Sequence, residues 1–212
     1  MKKVVLGLII AISFLSFIPP GQHKKGWQSL FDGKSLDGWK VGANASTFKV
    51  EDGMIVVNGK VAHLYYDGPV ANHSFKNFEF KADVMTMPGS NSGVYFHTVF
   101  QESSWPKKGY EVQVNNSHTD WRRTASLYAV QDVKENYAKD NEWFTLHIKV
   151  KDKRVMVWVN KQLVTDYTEP ADVKRDEGMK GRLISEGTFA LQGHDPNSKV
   201  FYKNIKVKVL AD

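Results

Sequence analysis

Glu111 and Gln113 stand two residues apart in "GYEVQVNNSH" (109–118), so any strand formed there puts both on one face and Tyr110, Val112 and Val114 on the other. The run "FALQGHD" (189–195) repeats the arrangement, with Ala190, Gln192 and His194 opposite Phe189, Leu191 and Gly193. In "NSGVYFHTVF" (91–100), alternation sets Tyr95, His97 and Val99 against Val94, Phe96, Thr98 and Phe100. A carboxylate beside imidazoles can move protons near neutral pH, and amides supply directional donors and acceptors. Tyr95, Tyr128 and Trp158 offer rings for stacking. Together these groups suit a polyhydroxylated ligand with a few apolar C–H faces, which describes a sugar.

Taken singly, each residue has a plainer reading. A carboxylate such as Glu111 on a polar strand position more often faces solvent, and His97 or His194 alone is more often a satisfied structural histidine. Tyr128 and Trp158 alone read as core or rim aromatics. Recurrence of the pattern on three strands favours a shared groove. Alternation assigns faces within a strand and leaves strand order open.

Familiar catalytic motifs are missing: the chain has no phosphate-cradling glycine loop, no zinc-protease helix and no nucleophile elbow. With no cysteine, a divalent metal would have to be held by His, Asp and Glu. Asp195-Pro196-Asn197 offers oxygens that suit calcium, and a turn accounts for it equally well.

The elements that must position these residues are strands. Period-two runs recur near 47–50, 54–57, 74–87, 92–100, 109–115, 125–130, 143–151, 154–160, 187–193 and 199–210, and long helical patterns are nearly absent. Asp52-Gly53, Asn58-Gly59, Pro88-Gly89, Asp152-Lys153 and Pro196-Asn197 provide turns between them. About ten strands in one open sheet would leave an apolar face wet, so the pattern predicts an antiparallel two-sheet β-sandwich. Irregular stretches 101–108 and 116–124 flank the 109–115 strand and carry Trp105, His118, Asp120, Trp121, Arg122 and Arg123. A charged stretch, 168–186, is expected to form a short helix or a flexible lid.

With 42% hydrophobic and 12% aromatic residues in 212, the chain can bury a substantial core. Lys2 and Lys3 precede an apolar run from Val4 to Ile18 that Pro19-Pro20-Gly21 terminates. This layout predicts an export signal over residues 1–22, with an uncleaved anchor as the alternative. The product is expected to be periplasmic or secreted, without stable membrane insertion once the signal is removed. Loss of Lys2 and Lys3 lowers the formal charge from +6 to +4, too small an excess to name a partner. Lys199, Lys203, Lys206 and Lys208 read as a solvated strand face, and no nucleic-acid-binding module is present.

Five ordered segments, "GWQSLFDGKSLDGWK" (26–40), "NSGVYFHT" (91–98), "GYEVQVNNSH" (109–118), "EWFTLHIKVKDKRVMVWVN" (142–160) and "FALQGHDPNSKVFYKNIKV" (189–207), together resemble the 3-keto-disaccharide hydrolase family across residues 26–210. The resemblance implies a single domain with the jelly-roll sandwich of concanavalin A-like lectins and glucanases. It also implies cleavage of glycosides whose sugar carries a ketone at C3. Such a ketone acidifies the C2 proton, so a base can form an enediolate, the C1 substituent can leave, and water can add afterwards. On this basis His194 is expected to act as acid or base with Glu111 as its partner or a substrate ligand, and Gln113, Gln192 and Asp195 to bind substrate; Tyr95, His97, Tyr128 and Trp158 join the substrate-binding group from the residue pattern above. His97 departs from an Arg seen in relatives, and Lys161 from a turn glycine. A non-catalytic sugar-binding module is the main alternative. A laminarinase-type enzyme would carry paired acids about four residues apart, and the residue four after Glu111 is Asn115.

Overall fold

The computed structural model describes residues 26–212. The export signal expected at 1–22 lies outside these residues. Thirteen strands follow in chain order: β1 (Gln28–Ser29), β2 (Trp39–Val41), β3 (Phe48–Glu51), β4 (Met54–Val57), β5 (Ala62–Tyr66), β6 (Phe78–Thr86), β7 (Asn91–Thr98), β8 (Tyr110–Asn115), β9 (Phe144–Lys151), β10 (Arg154–Val159), β11 (Gln162–Thr168), β12 (Thr188–Gly193) and β13 (Val200–Val209). They form two antiparallel sheets. The larger runs β11-β10-β9-β6-β13-β4-β3 with β1 added on β13, and the smaller runs β2-β5-β12-β7-β8. The expected sandwich is observed.

Phenylalanines from both sheets lock the layers together. Phe189 of β12 lies 4.8 and 4.9 Å, centroid to centroid, from Phe78 and Phe80 of β6, and 4.6 Å from Phe75. All four are buried, and each contributes on the order of 2 kcal/mol through the apolar area it removes from water.

The two sheets differ on their outer faces. Along β6 and β9, buried residues alternate with half-exposed ones, as expected for a sheet with one wet face. Every residue of β5, β7, β8 and β12 is buried. The polar outer face of the smaller sheet is therefore covered, and the covering comes from the irregular segments around it.

Several expectations need correction. Residues 125–130 form no strand: Ala125 and Ala129 adopt positive φ, and Leu127 makes only isolated bridges to Val112 and Gln131. Strands β1, β2, β5 and β11 were not expected. The 168–186 stretch does hold a short helix, the single 3-10 turn Glu177–Met179.

Candidate functional site

Register in the smaller sheet brings the expected polar residues side by side. Tyr95 of β7 pairs with Glu111 of β8, Gly93 with Gln113, Ala190 of β12 with Tyr95, and Gln192 with His63 of β5. A pocket of about 330 Å³ opens over this face, lined among others by Asn91, Tyr95, Trp105, Glu111, Gln113 and Tyr128, with Arg182, Gln192 and His194.

Glu111 forms the pocket's buried anion. The Tyr95 hydroxyl donates to its Oε2 at 2.6 Å, Gln192 Nε2 to its Oε1 at 2.7 Å, and Arg182 Nη2 to Oε2 at 3.3 Å. Burial, reinforced by the neighbouring Glu111 charge, pushes the Tyr95 phenol well above its ordinary pKa, so it remains a donor. Gly93 makes room for this carboxylate: a Cβ there would lie 2.6 Å from Glu111 Oε1. Arg182 Nη1, Gln113 Oε1 and Gln192 Oε1 are buried and make no hydrogen bond within the described residues. Buried polar atoms are rarely left so, and these three all belong to residues lining the pocket.

Arg182 reaches the pocket from the 168–186 segment, which is tied down behind it. The Tyr110 hydroxyl and the Ile184 N–H both donate to Glu169 Oε2, the latter at 2.8 Å. Arg175 donates to Tyr110 Oη at 2.9 Å, to Tyr167 Oη at 2.8 Å and, through Nε, to the Arg182 carbonyl at 2.9 Å. This strap explains why a residue from irregular chain lies opposite a strand carboxylate.

His194 follows β12 at the pocket rim. Its Nδ1 is 2.8 Å from Asp195 Oδ2, and His118 Nε2 is 3.9 Å from the same oxygen. Partial burial works against the Asp195 charge. Hydrogen bonds from Ser198 Oγ, His194 and the Asn197 N–H outweigh it and hold the carboxyl below its ordinary pKa. An ionised Asp195 selects the Nδ1–H tautomer of neutral His194, which leaves the Nε2 lone pair free to accept a proton. His118 Nδ1 accepts the Asp120 N–H at 3.1 Å, so neutral His118 carries its proton on Nε2. A polar chain continues from His118 through Asn91, 3.3 Å away, to Gln113, whose Nε2 donates to Asn91 Oδ1 at 2.9 Å.

His118, His194 and Asp195 are also the one group among the described residues with metal-ligand geometry, their ligand atoms lying within 4.8 Å of one another. A divalent ion there would meet imidazoles already oriented through Nδ1, His194 by Asp195 and His118 by the Asp120 N–H.

The structure separates two expected residues from this group. His97 has φ 56, and β7 shifts register against β12 beside it, so alternation breaks and its ring leaves the Tyr95 face. It is fully buried against Phe78 and Phe96 and bonds Lys76 O at 2.9 Å and the Ser185 N–H at 3.2 Å. Trp158 belongs to β10 of the larger sheet and stacks on His147, so it shares no groove with Glu111.

His63 was missed. It is 4% exposed, its ring centroid lies 5.4 Å from Tyr95 and 5.5 Å from Trp105, and burial, aided by nearby His194, lowers its pKa to about 4. Alternation in "VAHLYYD" would have put it on a face with Tyr65. Trp105 in turn lies 5.5 Å from the His194 ring, so the 101–108 loop spans both histidines.

Comparison with known proteins agrees with this architecture. Residues 26–208 match the family model described as 3-keto-alpha-glucoside-1,2-lyase-like domain. A crystal structure of a "putative glycosyl hydrolase" from Parabacteroides distasonis ATCC 8503 is 26% identical, with 88% of this chain and 94% of that one covered and a TM-score of 0.75. Carbohydrate binding module CBM66 from Bacillus subtilis shares the fold at 15% identity, 81% and 95% coverage and a TM-score of 0.53. A Bacillus subtilis protein with a galectin-like fold does so at 9% identity, 88% and 98% coverage and a TM-score of 0.61. No curated protein matches the chain. The family match and the Parabacteroides structure connect the chain to carbohydrates, and the other two speak for the fold. Through residues 26–208, this chain belongs to the 3-keto-alpha-glucoside-1,2-lyase-like domain family.

Proposed function

We propose that this protein cleaves 3-keto-glycosides by taking the proton on C2 and expelling the C1 substituent, water then adding to the unsaturated product. The observation that carries the reading is the pairing, in one pocket, of a buried, triply hydrogen-bonded carboxylate with an imidazole whose free nitrogen is fixed by Asp195.

In this mechanism His194 Nε2 removes the C2 proton, and Asp195 steadies the imidazolium that forms. Electrons from the C2–H bond generate the enediolate, whose negative charge gathers on the C3 oxygen. Arg182, with an uncommitted Nη1, and the protonated Tyr95 phenol are the donors suited to that oxygen. The enediolate then expels the C1 oxygen, which takes a proton from the imidazolium. Glu111 holds Arg182, Tyr95 and Gln192 in place, since both its oxygens are already engaged. Tyr128, with the Arg182 guanidinium 5.4 Å from its ring centroid, closes the pocket wall. Export through residues 1–22 would place the enzyme in the periplasm or outside the cell.

The same engagement of Glu111 favours a second reading, a sugar-binding module whose carboxylate only organises donors. Replacing His194 separates the two. His194→Ala should retain the wild-type melting temperature and lose at least 100-fold in kcat on a 3-keto-glucoside. Unchanged turnover would overturn the role given to His194, and absence of turnover in the wild type with measurable sugar binding would favour the module.

A further inference from the structure

We propose that the outer face of the larger sheet carries a second glycan-binding groove, selective for chains bearing anionic sugars. The groove has a volume of about 890 Å³ and lies across the sandwich from the pocket described above. Its floor is one cross-strand row. Lys206 of β13 pairs with Lys81 of β6, Lys81 with His147 of β9, and His147 with Trp158 of β10. At the usual spacing between strands, this row spans about 14 Å. Trp27, just before β1, flanks it. A register shift in β13 between Lys203 and Lys206, with Asn204 at φ 53, bends the sheet at the groove.

Two features of the row point to a ligand. The first is charge. Lys81 and Lys206 sit directly opposite each other, an arrangement that costs stability. Their ammonium groups lie 4.7 and 5.6 Å from the Trp27 ring centroid, and neither makes an ion pair among the described residues. The nearest acid is committed elsewhere: Glu79 of the next row takes His147 at 3.0 Å and Lys208 at 3.6 Å. Asp83, the groove's own carboxylate, is engaged by Thr145 Oγ1 at 2.8 Å and Asn204 Nδ2 at 2.6 Å. An anion laid along the row would relieve the lysine pair.

The second feature is aromatic. His147 and Trp158 stack at 4.7 Å with an interplanar angle of 21°, and Trp27 stands edge-on to His147 at 6.2 Å. Rings in a row beside cations fit the C–H faces and carboxylate or sulfate groups of an acidic glycan, where a small inorganic anion would use the lysines alone.

Affinity electrophoresis of the full-length protein tests this, with gels containing polygalacturonate, chondroitin sulfate or neutral dextran, and single-stranded DNA as a competitor. The wild type should be retarded by one or both acidic glycans and not by dextran, and the retardation should weaken as salt rises. Lys81→Gln/Lys206→Gln, which alters only surface side chains, should weaken binding at least tenfold, and Trp158→Ala should do the same. Lys174→Gln/Lys180→Gln, which removes the same charge from exposed positions outside the groove, should leave retardation unchanged. Retardation that survives the Lys81/Lys206 change, that disappears equally with the Lys174/Lys180 change, or that occurs equally in dextran would overturn the proposal. Displacement of the bound glycan by DNA at concentrations well below those at which the glycan itself binds would do so as well.

Discussion

Gly93→Ala probes the carboxylate at the centre of the pocket without touching any charged group. The new Cβ would lie 2.6 Å from Glu111 Oε1, 3.0 Å from its Cγ and 3.2 Å from its Cδ, whereas ordinary contact begins at 3.4 Å. The carboxylate must therefore withdraw by about 0.8 Å. Withdrawal along the Gln192 bond would stretch it from 2.7 Å to about 3.5 Å, beyond useful length. Arg182, held at 3.3 Å, would lose its anchor with it. Overpacking of this kind costs about 1–3 kcal/mol, and misplacing positioned groups by nearly an ångström lowers rate by about 100-fold. Thermal melting should show a modestly destabilised, folded protein, and steady-state kinetics on a 3-keto-glucoside should show the loss mostly in kcat. A variant with wild-type melting temperature and wild-type kcat/KM would refute the reasoning, because it would mean the Glu111 position does not matter to the chemistry.

Glu111→Gln should lower kcat by more than it raises KM and should reduce stability by about 3 kcal/mol, since it leaves Arg182 buried without a counter-charge, and chemical denaturation would measure this. Arg175→Ala should act through Arg182 by releasing the carbonyl that Arg175 holds. Kinetics should show a tenfold or greater loss of kcat/KM with a folded protein, and guanidinium ions added in solution should restore no activity if the role is one of positioning. Acid should weaken the fold through His63 and His97. Burial leads in lowering both to about 4, so their stabilising contribution is complete above pH 6.5 and is lost as pH falls towards 4. Each is worth on the order of 3 kcal/mol at most, and melting temperatures measured from pH 7 to 4 should fall less steeply in a His97→Gln variant.

What was legible in the sequence follows from how each strand is solvated. β6 and β9 have one wet face, so their alternation reads directly. β5 is buried on both faces, and "AHLYY" shows little contrast between its two sides, which hid His63. β11, the edge strand of the larger sheet, is mostly exposed, and its pattern is diluted by polar residues. Within the candidate site, Tyr95, Glu111, Gln113 and Gln192 were readable because their positions depend on strand parity alone. Arg182 was not, because a strap of irregular chain delivers it through the contacts of Glu169 and Arg175. His97 was misplaced by a bulge, which parity cannot foresee. Trp158 belongs to the other sheet, and sheet membership depends on long-range pairing.

Product analysis bears most directly on the central claim. Purified protein would be incubated with a 3-keto-glucoside and, in parallel, with the unoxidised glucoside, each with and without chelator. The account predicts release of the C1 substituent from the keto sugar alone, undiminished by chelator, because His194 would be serving as the proton acceptor. Loss of activity with chelator would instead make His118, His194 and Asp195 a metal site and move the proton transfer elsewhere. Release from the unoxidised sugar, or from neither, would contradict the claim that this pocket cleaves by removing the C2 proton.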